Sequence, residues 1–422
     1  MKRYTQQTIH RPHVGFVTDS FLDSRGQLFE GGAERHLLHL ASVAAGLGAE
    51  VTVYQRGLAG REETYQGIRV VGWSASPMTF GRQLARRALR DRCTHLHFQY
   101  LNQVPRIRSE VIVTATGHAV YWDLPYVDQY RSWYPGGRVA ALLLPVWRWR
   151  ERHRCLRAIV RCKRVLATDS SLLRLVQSDR PGLRNRVDVV PNFTDLLGGG
   201  SASAGVAADH PSLGELLAAR ARGSIVVLVP RNLSFVRGGA WLPEIVERSA
   251  SLPAGRHCQF FLTGVPMNVY GAGHRYRSLF EGQLASMSKE ARAQLHLLGG
   301  VPRASMQMAY DNCDIVLIPT FAHEGTSLAA VEAMGSGRPV IATNVGGLND
   351  LIVDRVTGLL VPTDPDAIAA AVSELAQDSK LRARLGEEAR RRVGATFSEV
   401  HWRRRAESFA RRVGWARDPA AA

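Results

Sequence analysis

Two acids eight positions apart, Glu324 and Glu332, stand in the most chemically suggestive stretch of this 422-residue chain. From Cys313 to Ile368 it reads CDIVLIPTFAHEGTSLAAVEAMGSGRPVIATNVGGLNDLIVDRVTGLLVPTDPDAI. The apolar run ending at Pro319 predicts a buried strand. The polar turn after it holds His323 and Glu324, and a helix is expected from about Thr326. Amides at a helix N-terminus lack intrahelical partners and carry the positive end of the macrodipole, so they suit a phosphate. Glu332 lies slightly more than two turns beyond Glu324, roughly below the same face. One acid could then hold hydroxyls of a sugar and the other those of a ribose. Taken singly, Glu332 reads as a surface helix acid and Glu324 as a first-turn acid favoured by the dipole. The glycine-rich turns around them shift the weight toward a ligand.

Other candidates are weaker. His118, in VTATGHAVYWD, falls just past a predicted strand, where a ligand-facing residue belongs, although a lone histidine is more often structural. Asp19 and Asp123 read as turn or cap residues. Asp364-Pro365-Asp366 imitates a metal-binding pair of aspartates, but Asp before Pro is a helix start, and a cap with a first turn is expected there, with no metal. The five cysteines are scattered and form no CxxC pair, which argues against a disulfide framework and a zinc site.

The elements that must position these residues alternate. Strands are expected at Val14–Val17, Glu50–Tyr54, Ile68–Trp73, His95–Phe98, Val111–Thr114, Arg164–Ala167 and Val187–Val190, with helical periodicity at Ala33–Leu47, Gly81–Arg92, Val139–Cys162 and Ser170–Ser178. A small-residue stretch from Leu197 to Gly205 follows, of the kind that forms a linker. The alternation then restarts with strands at Ser224–Val229, His257–Thr263, Gln294–Leu298, Ile315–Ile318, Pro339–Ala342 and Gly358–Val361. Helices are expected at Trp241–Ser251, Ala304–Asn312, Ser327–Met334 and Pro365–Gln377, and the charged end, Lys380–Arg412, reads as helical. Strands separated by helices imply parallel pairing through right-handed crossovers. The expected fold is therefore α/β, with two Rossmann-like doubly wound domains facing a central cleft. Residues 1–196 form the first domain, 197–222 the linker and 223–395 the second, and a C-terminal helix in 396–422 packs back towards the first domain. The cleft would lie at the carboxyl ends of both sheets.

Hydrophobic residues make up 45% and charged residues 22%, ordinary for a soluble folded chain. The longest apolar stretch, Val139 to Trp147, is interrupted by Pro145 and falls far short of the ~20 residues that span a bilayer. The polar start, Met1 to Pro12, has no signal-peptide core, so a cytoplasmic location is expected, peripheral on the inner face of the membrane if the chain binds one. The formal net charge is +17, carried almost wholly by arginine, and Arg131–Arg164 holds ten Lys/Arg against one acid, Glu151. Such a field favours anionic partners: nucleotides, nucleic acid or acidic headgroups. Within it, 146–165 combines Trp147 and Trp149 with Leu156, Ile159 and Val160 at helical spacing. Two outcomes fit this pattern: a helix lying on an anionic membrane, or one packing its apolar stripe on the sheet beneath a solvated basic face.

The spacing Glu324-x7-Glu332, followed by AMGSGRPVIAT, NVGGLNDLI and TGLLVPTDPDAIAAAV, resembles the donor-binding signature of family 4 glycosyltransferases, which are retaining enzymes of the GT-B fold. FEGGAERHLLHLA, VPNF at Val190–Phe193 and VPRNLSFVRGG at Val229–Gly239 extend the resemblance over nearly the whole chain, most weakly in Gly57–Gln103 and the linker. The resemblance implies that Glu324 binds sugar hydroxyls, that amides of Gly325, Thr326, Ser327 and Leu328 cradle the distal phosphate, and that Glu332 binds the ribose. Arg231 would pair with the diphosphate. The family usually places lysine six residues later; Arg237 stands there, keeping the charge but offering a bulkier bidentate fork. Gly31 and Gly32 would approach the phosphates or acceptor, although Rossmann-like turns need glycine in any case. His118 would line the sugar site.

The resemblance thus implies a hexosyltransferase that takes a UDP- or GDP-sugar as substrate, needs no cofactor, and acts on a glycan, lipid-linked glycan or lipid acceptor with retention. Two other readings are weaker: another GT-B chemistry, such as a sugar-nucleotide 2-epimerase or a phosphorylase, and a basic nucleic-acid-binding protein. EGTSLAAVE and the GG-A-E start favour transfer over the first. The second lacks a recognition motif and interleaved aromatic stacking platforms, so no nucleic-acid partner is expected.

Overall fold

The computed structural model describes residues 11–29, 31–107, 110–122, 132, 139–195, 213–232, 234–264 and 273–417. Asp123, the Leu197–Gly205 stretch and the first ten residues lie outside the described residues. The chain divides into two units.

The first unit comprises the chain up to His118, Arg150–Val190 and the stretch from Trp402. Its strands are β1 (His13–Thr18), β2 (Glu50–Tyr65), β3 (Ile68–Trp73), β4 (His95–Phe98), β5 (Ile112–Gly117), β6 (Arg164–Ala167) and β7 (Val187–Val189). They form one sheet in the order β3-β2-β1-β4-β5-β6-β7. Every neighbouring pair is parallel except β2 with β3. β1 is buried at every position, as a central strand covered on both faces must be. β2 runs eleven residues past the Tyr54 end expected from sequence, because residues beyond it turn back through Gln66 and Gly67 to pair antiparallel with β3. Trp402 and Trp415 are both buried, and Trp415 meets Phe16 and His97 edge-on.

The second unit comprises Ala119–Trp149 and Pro191–His401. Its strands are β8 (Ile225–Val229), β9 (Cys258–Leu262), β10 (Leu295–Leu297), β11 (Ile315–Ile318), β12 (Val340–Thr343) and β13 (Leu359–Val361). They form an all-parallel sheet in the order β10-β9-β8-β11-β12-β13. The order reverses beside β8, where β9 and β11 diverge to opposite sides. In an open parallel sheet this switch point opens a crevice at the carboxyl ends of the strands, and Arg231 and Glu324 follow β8 and β11. Two apolar layers cover the sheet. One holds Val227, Val229, Phe260, Ile315 and Leu317; the other holds Leu228, Phe261, Tyr310 and Val316.

Other elements also differ from the sequence expectation. A helix, Gly214–Ala221, lies within the stretch read as linker, because Leu213, Leu216 and Ala219 bury one face in the second layer. The charged end is two helices, Ser379–Thr396 and Glu399–Val413, interrupted at Phe397 and Ser398, where Phe397 is buried. The expected cap at Asp364 is present: its carboxylate accepts from the Ala367 amide at 3.0 Å, with Pro365 opening the helix.

Candidate functional site

In the second unit the side chain of Arg231 reaches three groups. Its Nη2 donates to Thr320 Oγ1 at 3.1 Å and pairs with the Glu324 carboxylate, and its Nη1 donates to Ser327 Oγ at 3.3 Å. Ser327 is the N-cap of the Leu328–Gly335 helix, and its side chain makes no capping bond to its own first turn. Thr320 Oγ1 also donates to Glu324 at 3.3 Å. The guanidinium fork thus ties the loops after β8 and β11 to the start of one helix.

Charge sets the state of this cluster. Burial works to raise the pKa of Glu324, but the cations of Arg231 and then Arg237 outweigh it and hold the group below the ordinary carboxyl range. The Arg237 pKa is lowered too, first by burial and then by Arg231, with Glu324 partly opposing. Its guanidinium makes no hydrogen bond or ion pair among the described residues. Two arginines beside one carboxylate leave an excess positive charge, and Arg231 Nε is also buried without a hydrogen-bond partner. The arrangement suits an anion.

Backbone holds the loops together. Gly347 N donates to the Glu324 carbonyl at 2.8 Å, and Phe321 N to that of Val236 at 2.7 Å. Asn192 Nδ2 donates to the Thr326 carbonyl at 3.0 Å, giving the asparagine of VPNF a definite place. Glu332 lies in the Leu328–Gly335 helix with its carboxylate accepting from Tyr310 Oη at 3.2 Å and 3.8 Å from Arg303. The structure therefore gathers Arg231, Arg237, Glu324 and Ser327 into one cluster and places Gly325, Thr326 and Leu328 on its rim and Glu332 further down the same helix. Thr320, Tyr310 and Arg303 were not singled out from the sequence. Thr320 alone left a signal, as the hydroxyl following the strand-ending Pro319.

In the first unit, Gly31 is the extended N-cap of the Gly32–Gly46 helix. A Cβ there would fall 1.9 Å from the Glu34 carboxylate, so a local steric reason for Gly31 exists. Glu34 is buried in the first turn and accepts from Ser20 Oγ at 2.6 Å; burial raises its pKa. His118 follows β5. Gln99 Nε2 donates to His118 Nε2 at 3.0 Å and to the Ala33 carbonyl at 2.6 Å, linking the ends of β4 and β5 to the first turn of the helix. With Nε2 accepting, the ring carries its proton on Nδ1 and is neutral. Its pKa is pushed down to about 3 by burial, then by His36, which stacks edge-on at 5.5 Å. His97 is lowered well below its ordinary value by burial, and His95 to about 4 by burial and Lys163.

These histidines give a pH prediction. Each is neutral when folded and titrates near 6.5 when unfolded, so below pH 6.5 the unfolded chain binds more protons. Stability is fully present above that pH and falls as the pH drops towards the folded values near 4 and 3. The slope per histidine approaches about 1.4 kcal/mol per pH unit. Denaturant midpoints measured from pH 7.5 to 5 should decline from about pH 6.5; a flat profile to pH 5 would refute the neutral cluster.

Helix Ala140–Arg161 is divided between the units near Arg150. Leu156 and Ile159, for which the sequence leaves a membrane surface and packing on the sheet both open, are buried, as are Cys155 and Ala158. That stripe belongs to the core. Exposed large apolar side chains include Leu142 at 77%, Leu143, Val146, Trp147, and Trp149 at 60%, on the earlier turns, together with Val160. No described helix is long and apolar enough to cross a membrane.

Comparison with known proteins agrees with this fold. Residues 30–196 match Glycosyltransferase Family 4, and residues 271–392 match Glycosyl transferases group 1. The D-inositol 3-phosphate glycosyltransferase of Corynebacterium glutamicum is 32% identical over 39% of this chain, which spans only 38% of that relative's length. Sucrose-phosphate synthase from Thermosynechococcus elongatus superposes with a TM-score of 0.71 at 18% identity, covering 96% of this chain and 99% of the other. HepE from Anabaena, solved in complex with UDP-glucose, gives 0.68 at 16% identity, covering 95% and 99%. The fold is GT-B.

Proposed function

We infer the activity from the family to which this chain belongs, the family 4 glycosyltransferases: it moves a sugar from a nucleoside diphosphate sugar to an acceptor with retention at the anomeric carbon. The observation that carries the reading is the cluster of Arg231, Arg237, Glu324 and Ser327 at the start of the Leu328–Gly335 helix. In this reading Arg231, Arg237 and the amides of Gly325, Thr326, Ser327 and Leu328 hold the diphosphate, Glu324 accepts from sugar hydroxyls, and Glu332 accepts from the ribose. Departure of the diphosphate is the demanding step, and fixed cations aimed at its oxygens lower that barrier at no reorganisation cost. The leaving phosphate takes the acceptor's proton, so no protein nucleophile is needed. His118, neutral with Nδ1 protonated, donates to the sugar, and Gly31 and Gly32 let the backbone approach the donor or acceptor. No metal or cofactor enters this scheme. HepE was solved with UDP-glucose, which supports a UDP-sugar first and a GDP-sugar second.

The purified protein should slowly hydrolyse one of a panel of UDP-, GDP- and ADP-sugars, releasing the sugar with retained configuration by NMR. An inverted product, or no turnover and no binding across the panel, would remove this reading.

The acceptor in this reading is a glycan, lipid-linked glycan or lipid, and the chain works as a peripheral protein at the cytoplasmic face of a membrane. Leu142, Leu143, Val146 and Trp149 stand exposed on the turns that lead into Arg148, Arg150, Arg154 and Arg157. Apolar side chains entering the interface beside arginines at headgroup level describe an interfacial helix, each arginine contributing about 1 kcal/mol at an anionic surface. The protein should co-sediment with phosphatidylglycerol vesicles and not with phosphatidylcholine. Replacing Leu142, Leu143 and Trp149 together by serine should weaken binding at least tenfold. Binding indifferent to lipid charge, or to these three residues, would end the membrane proposal.

A further inference from the structure

Helix Arg303–Asp311 presents two residues seven positions apart, Arg303 and Tyr310, to the same carboxylate on the neighbouring helix. Seven residues are almost two full turns, so both side chains leave one face. Tyr310 is fully buried, and its hydroxyl donates to Glu332 Oε2 at 3.2 Å, with the Ala329 carbonyl at 3.4 Å as a second acceptor. Arg303 Nε stands 3.8 Å from the other oxygen, Oε1, at ion-pair but not hydrogen-bond distance, while its Nη2 pairs with Asp195. The side chain of Glu332 is only 9% exposed. A buried carboxylate on a helix rotates unless a partner fixes it, and a hydrogen bond to a charged group is among the stronger positioning devices.

We propose that Tyr310 and Arg303 are positioning residues for recognition of the donor's ribose. Tyr310 fixes one oxygen of Glu332 by its hydrogen bond, and Arg303, drawn aside by Asp195, stands at ion-pair distance from the other. Recognition of ribose against deoxyribose then depends on a tyrosine that touches no ligand. The proposal rests on Glu332 as the ribose acceptor, and the test separates the two.

Binding of UDP, GDP and ADP, and then of the 2′-deoxy form of whichever binds best, is measured by calorimetry on the full chain. The intact protein should prefer the ribonucleotide. Tyr310→Phe conserves volume and packing, and should weaken the ribonucleotide about tenfold while leaving the deoxynucleotide unchanged. Arg303→Met should show the same pattern at smaller size. A loss shared equally by both nucleotides would mean a merely structural role and would overturn the proposal. Glu332→Gln reports on the underlying reading. If it abolishes the preference and Tyr310→Phe does not alter it, the ribose role stands and the positioning role fails. If Glu332→Gln leaves the preference intact, or if no nucleoside diphosphate binds, both fail.

Discussion

Arg231→Met should lower donor turnover by about 10²- to 10³-fold, the size of effect seen when one fixed group aimed at developing charge is removed. The same change should destabilise the second unit by about 3–5 kcal/mol, because it strands the Glu324 carboxylate in a largely buried place without its principal cation. A simple alanine or methionine variant therefore confounds chemistry with folding, and the pair must be dissected as a pair. Arg231→Met with Glu324→Gln should recover most of the stability, since a neutral amide can be satisfied by Thr320. It should recover none of the turnover. Arg231→Lys keeps the charge but cannot reach Thr320, Glu324 and Ser327 at once, so it should keep stability better than methionine and still lose most activity. Denaturant unfolding and donor hydrolysis on the four proteins, with Glu324→Gln alone as reference, give both axes. Turnover restored in the double variant would show that Arg231 does no more than support Glu324.

That coupling was invisible in the sequence, although both residues were picked out there. The motif order and resemblance located Arg231 and Glu324 by what they would do to a ligand, and said nothing of what they do to each other without one. Tyr310 and Arg303 show the limit more sharply. Nothing in local spacing marks a tyrosine in one helix as the partner of an acid in another, because that contact is set by how both helices lie on the sheet. Elements with a buried face were legible: β4, β6 and β11 carry the expected boundaries, β11 as a continuous apolar run and β4 and β6 as short segments ending at the polar Gln99 and Thr168. The second half of β2 was not, because from Gly57 it is mostly exposed and has no apolar alternation to read. Its turn did leave a trace. Gln66 and Gly67 have φ of 48° and 78°, the two positive values that a tight two-residue hairpin demands, and Gly67 is the residue that tolerates one. The Gly214–Ala221 helix was hidden by the Gly/Ser run before it, which makes the whole stretch look like linker. Helix Ala140–Arg161 was read correctly as basic and amphipathic, but sequence alone could not say which apolar residues the core would claim.

Gly238→Ala should be the most damaging single-methyl change in the second unit. Gly238 has φ of +86°, where any side chain is strained, and its added Cβ would sit 1.9 Å from the Pro319 carbonyl oxygen. Neither partner is a flexible side chain that can swing away; both are backbone, so the loop after β8 must part from the loop after β11. Gly223 provides the internal control, with φ of +79° and open space around its Cβ position. Gly223→Ala should cost about 1 kcal/mol, the ordinary penalty of forcing alanine into the left-handed region. Gly238→Ala should cost that plus the separation, more than about 3 kcal/mol in all. Equal denaturation midpoints for the two variants would show that the loops yield freely and are not pinned. The functional consequence follows from what the loops carry. Arg237 immediately precedes Gly238, and Glu324 lies five residues beyond Pro319, so a parted contact should move the cations away from the carboxylate and lower donor turnover even at temperatures where the variant remains folded. The glycine is then required less for the turn it makes than for letting the loop of Arg237 lie close to that of Glu324.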